Sequence, residues 1–60
     1  MHREQFDSIV RQVESIFGAK SSEHLIEDNW RVWRNKPVEQ FLDAQIEVVK
    51  EFKMRSNKNA

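Results

Sequence analysis

The sequence predicts an all-α fold, a small three-helix bundle with its third helix the longest and its core completed by self-association. Three observations carry that expectation. Phe6, Ile9, Val10, Val13, Ile16 and Phe17 recur at steps of three and one, the signature of one helix face. The only glycine and the only proline, Gly18 and Pro37, fall where apolar-periodic segments stop. No segment shows the strict apolar–polar alternation of a half-buried strand.

The first helix is expected over residues 4–17. Its polar face carries Arg3, Asp7, Arg11 and Glu14, with Arg3–Asp7 and Asp7–Arg11 spaced to form weak side-chain pairs. Gly18 suits the left-handed position just past a helix C-terminus. Ala19-Lys20-Ser21-Ser22 then reads as a short connection, with Ser21 or Ser22 capping a second helix over residues 22–35 and Glu23 meeting its positive end. In that helix Leu25, Ile26, Trp30, Val32 and Trp33 span an apolar arc of roughly 160°, against roughly 120° in the first, so it is expected to touch two neighbours.

Lys36-Pro37 ends the second helix, because the residue before proline is pushed out of the helical region while proline suits a first helical turn. The third helix is expected over 37–55. Val38, Phe41, Leu42, Ile46, Val48, Val49 and Phe52 form its apolar face, acids (Glu39, Asp43) stand near its start, and bases (Lys50, Lys53, Arg55) follow toward its end, in agreement with the macrodipole. The expected core is Phe6, Val10, Val13, Phe17, Ile26, Trp33, Leu42, Val49 and Phe52. Residues 1–55 form a single domain, and 56–60, without apolar content, a frayed tail.

Sixty residues approach the lower size at which a chain folds without staples, and with no cysteine there is neither a disulfide framework nor a thiolate metal site. Self-association is the staple that remains, so a homodimer or other small homo-oligomer is expected. Ten Lys+Arg balance ten Asp+Glu, which gives no net pull toward nucleic acid or an anionic membrane. No apolar run is long enough for a signal peptide or membrane span, so the expected setting is the cytoplasm. The size is that of the accessory regulators phages and plasmids encode.

One segment asks for more than a solvated helix. Asp28-Asn29-Trp30-Arg31-Val32-Trp33-Arg34-Asn35-Lys36-Pro37 holds both tryptophans and three of the ten basic residues. Trp33 falls within the apolar arc beside Ile26, whereas Trp30 lies at its margin next to Arg34 and Glu23. The expected partner-binding residues are therefore Trp30, Arg31, Arg34 and Lys36, acting as an aromatic anchor with cations reaching acidic groups on a protein partner. Nucleic-acid binding through the same aromatic-basic patch is the alternative, but Glu23, Glu27 and Asp28 share the helix and repel phosphates. A helix-turn-helix reading fails for the same reason, because the acids occupy the half of the reader helix that normally contacts bases. A purely structural homo-oligomeric subunit is the third reading.

Asn29 and Gln45 each project near the centre of an apolar arc, where an unsatisfied amide costs on the order of 1–3 kcal/mol. They are expected to bond one another or a helix end, to set register at a self-association surface, or to reach water. No metal or cofactor is expected: His2 and His24 lack converging ligands, and His24 with Asp28 reads as a surface pair. Nor is an enzyme expected. Glu39, Asp43 and Glu47 form an i, i+4 ladder that more often marks a solvated face than a pair of catalytic acids, and no nucleophile or phosphate-loop motif is present.

Overall fold

A computed structural model describes residues 1–57 and places among them three α-helices and no strand: α1 (Arg3–Phe17), α2 (Glu23–Trp33) and α3 (Val38–Asn57). The boundaries agree with the sequence reading to within two residues. α3 continues through residues 56 and 57, where a tail was expected, and the rest of that tail, 58–60, lies outside the described residues.

Local chemistry sets each junction. Gly18 adopts φ 72° and ψ 22°, the left-handed conformation that a side chain disfavours. The Glu14 carbonyl then accepts the N–H groups of Gly18 at 2.8 Å and Ala19 at 3.2 Å. The carboxylate of the same Glu14 accepts the Ser21 N–H at 2.6 Å, so one residue closes α1 and aims the chain into α2. Ser22 caps α2: its Oγ accepts the Leu25 N–H at 3.3 Å and its carbonyl accepts the Ile26 N–H at 3.1 Å. Pro37 stands immediately before α3 rather than in its first turn, its carbonyl accepting the Gln40 N–H at 3.1 Å.

Four aromatic pairs fix how the helices lie. Phe6 stacks on Phe41 with ring centroids 4.8 Å apart, and Phe17 stacks on Phe52 at 4.7 Å. Both pairs join α1 to α3 in increasing order of residue number, so these two helices run parallel. Trp30 meets Phe6 at 5.3 Å and Trp33 meets Phe41 at 5.2 Å, which brings the C-terminal half of α2 to the N-terminal halves of the other two. α2 is thus the antiparallel middle member of an up-down-up bundle.

The core is narrower than the sequence led us to expect. Among the described residues only Phe6 (0% exposed) and Phe41 (3%) are buried. Val10, Val13, Ile26, Trp33, Val49 and Phe52 are half-buried, while Leu42 (43%) and Phe17 (36%) are exposed despite their assignment to the core. The correction has a physical cause. Apolar residues occupy about 160° of α3 by helical-wheel count, so pattern alone left its rotation open, and the two phenylalanine stacks turn Phe41 inward and Leu42 outward.

The packing is open. The radius of gyration is 12.4 Å, against roughly 10.4 Å from size scaling for a compact chain of this length. The longest dimension is 39 Å, and α3, a 20-residue helix, is itself about 30 Å long.

Candidate partner-binding site

The C-terminal half of α2 is built by the contacts of its two tryptophans. Trp30 is half-buried, tilted against Phe6, and the guanidinium of Arg3 lies over it with Cζ 5.5 Å from the ring centroid. Arg3 is itself fixed from two sides. Its Nε donates to Asp7 Oδ1 at 3.0 Å, the i, i+4 pair legible in the sequence, and its Nη2 donates to Glu27 Oε1 at 2.7 Å across to α2. These bonds raise the Arg3 pKa further above its ordinary value, the Glu27 bond contributing most. Reciprocally, the Glu27 carboxyl is held below the usual carboxylate range, chiefly by accepting from Arg3 and against a smaller opposing effect of desolvation.

Trp33 is half-buried on Phe41, and the Lys36 ammonium sits 4.8 Å from its ring centroid. Each tryptophan therefore carries a cation on one face and a phenylalanine on another, a combination that holds the rings in place. Arg31, with 76% of its side chain exposed, stands 3.8 Å from Asp28 Oδ1. Arg34 is exposed, and its backbone N–H closes α2 on the Trp30 carbonyl at 2.8 Å. The structure thus brings Trp30, Arg31, Arg34 and Lys36 to one end of α2, but with Trp30 engaged inside the fold and the arginines presented outward.

Arg3 is the member of this corner that the sequence reading missed. It lies 24 residues from Glu27, and no local spacing links the two. The helical wheel did hold one clue, since Trp30 and Glu27 both flank the apolar arc of α2 on the side where α1 supplies Arg3.

Asn29 and Gln45 were expected to bond one another or a helix end, to set register at a self-association surface, or to reach water. Neither is buried in the single chain, Asn29 being exposed and Gln45 half-buried, and no buried polar residue is found among the described residues. Both line a cleft of about 200 Å³ floored by Phe6, Val13, Ile26 and Phe41. Aromatic rings hold the C-terminal end of α2, and the Glu14–Ser21 bond holds the connection that leads into its start. His24 Nε2 and Asp28 Oδ2 are 4.0 Å apart with the His24 side chain 90% exposed, a loose surface pair.

Among the described residues no group of three His, Asp or Glu side chains converges as a metal site would require, and no helix is long and apolar enough to cross a membrane. Comparison with protein-family models, with curated proteins and with solved structures finds no match for this chain.

Proposed function

We propose that this protein is a small non-enzymatic interaction or regulatory module that binds a protein partner through the C-terminal corner of α2. The observation that carries the reading is the division of labour at that corner. Trp30 and Trp33 are locked by Phe6, Phe41, Arg3 and Lys36, while Arg31 and Arg34 point outward from the rigid platform so formed. A guanidinium on an ordered platform loses less freedom when it grips a carboxylate, and its planar fork suits bidentate contact with an acidic side chain. The partner surface that fits is therefore acidic, with the exposed edge of Trp30 adding apolar contact. The cytoplasm is the compartment this reading takes.

The test uses charge reversal, because Trp30 supports the fold and its removal confounds binding with stability. Affinity capture from the native host should recover a partner with the native chain and lose it with the Arg31→Glu/Arg34→Glu variant, whose helical circular dichroism should match the native. Unchanged capture by that variant would show the corner is not the binding site. A mobility shift with nucleic acid at low salt that vanishes at moderate salt would favour the nucleic-acid reading instead.

A further inference from the structure

We infer that the face of α1 and α3 turned away from α2 is a self-association surface, on which a second copy of this chain docks antiparallel about a two-fold axis near Ile46. This inference is independent of the Trp/Arg corner, which lies on α2. Between α1 and α3 runs a groove of about 320 Å³ to which α2 contributes nothing; Ile9, Ile16, Leu42 and Ile46 supply its apolar wall. Ile16 is 49% exposed, Leu42 43% and Ile46 42%, and among the described residues only Phe6 and Phe41 are buried. The chain exposes 4997 Å², about 900 Å² more than the roughly 4,100 Å² that size scaling gives a folded monomer of 7.2 kDa.

The occupant is identified by charge order. Along the α3 rim of the groove, Glu39 and Asp43 precede Ile46 and Lys50 and Lys53 follow it, and all four are exposed. Glu39 and Lys53 stand seven residues either side of Ile46, Asp43 and Lys50 three and four. An antiparallel copy crossing at Ile46 sets Glu39 against the second copy's Lys53 and Asp43 against its Lys50, twice over by symmetry. A parallel copy sets acid on acid and base on base. Such rim pairs add little affinity, but they choose orientation and exclude the wrong one, while the apolar wall supplies the attraction. The surface is self-complementary, as an isologous two-fold interface must be.

Sedimentation velocity over a micromolar to high-micromolar range tests the association. The native chain should form a dimer, and Ile46→Glu, which places two carboxylates together at the axis, should raise the dimer dissociation constant at least about 100-fold. Val32→Glu, on the exposed outer side of α2, should leave it unchanged. Ile46 is not buried in the single chain, so helical circular dichroism of the variant should persist. Orientation is read separately. The native chain has no cysteine, so Glu39→Cys carries the only spin label, and an antiparallel dimer separates the two labels by about 21 Å along the helix axis. A monomer at high micromolar concentration, or a dimer dissolved by Val32→Glu and indifferent to Ile46→Glu, overturns the surface. A label separation set by side-by-side parallel helices overturns the antiparallel arrangement.

Discussion

Replacing Phe6 is the sharpest probe of what holds the three helices together. Its ring is 0% exposed, stacks on Phe41 and tilts against Trp30, so a single side chain joins α1 to both other helices. Truncating a fully buried phenylalanine to alanine costs about 3–5 kcal/mol in transfer and cavity terms. A 60-residue domain has a total stability of only about 3–9 kcal/mol, so Phe6→Ala should leave the chain largely unfolded at room temperature. Phe6→Leu keeps most of the apolar volume and loses the two ring pairs, a cost of about 1–2 kcal/mol. With a urea slope near 1 kcal/mol/M for so small a chain, its midpoint should fall by about 1–2 M. Phe17→Leu is the matched control. Phe17 is 36% exposed and makes one ring pair, with Phe52, so its substitution should cost less than about 1 kcal/mol. Urea titrations followed by circular dichroism, all at one protein concentration because self-association adds to apparent stability, give the comparison. A Phe17→Leu shift larger than that of Phe6→Leu would refute the placement of the core at the Phe6–Phe41–Trp30 cluster.

Two further outcomes follow from local geometry. Gly18→Ala should lower stability by about 1 kcal/mol, purely from the left-handed backbone, because an added Cβ meets nothing within 4 Å; Gly18→Asn should cost less, and equal costs in urea titrations would contradict the conformational argument. Glu27 makes stability pH-dependent: its folded pKa lies below the ordinary 4.5, so its contribution is present above about that pH and is lost as pH falls through the depressed value. An acid titration of Glu27→Gln should show a shallower loss below pH 4.5 than the native chain, with added salt narrowing the difference because the pair with Arg3 is exposed. Identical acid limbs would mean that the Arg3–Glu27 bond is not maintained in solution.

Element type and extent were legible because the signals are local. Gly18, Ser22 and Pro37 each act through their own backbone or that of a residue a few positions away, and the six apolar residues of α1 report one face whatever surrounds them. Rotation about each axis is another matter, since it depends on which rings meet across helices. The decisive clue was present in the spacing: Phe6 and Phe17 are separated by eleven residues, as are Phe41 and Phe52, so two parallel helices can stack both pairs at once. Apolar periodicity does not weight a ring above an aliphatic side chain, and so Leu42 and Phe41 looked interchangeable. The candidate site was half legible for the same reason. Composition singled out Trp30, Arg31, Arg34 and Lys36, but Arg3 comes from another helix, and the place of Asn29 in the apolar arc of α2 does not say how closely that helix packs.

The polarity of the α3 rim has an explanation within a single chain, since acids near a helix start and bases near its end both favour the macrodipole. That effect depends on position along the axis and not on direction around it. Away from the groove the order is kept only in part: Arg55, opposite Ile46 on the wheel, agrees with the dipole, whereas Glu51, about 140° from Ile46, sits in the half of the helix where the dipole favours a base. The rim that carries Glu39, Asp43, Lys50 and Lys53 keeps the order without exception. Within the chain neither α1 nor α2 answers those charges at the groove, for the α1 wall contributes Ile9, Gln12, Val13 and Ile16, without charge, and α2 does not line it. In the proposed antiparallel arrangement, α3 of a second copy would answer acids with bases in the reverse order along the same rim.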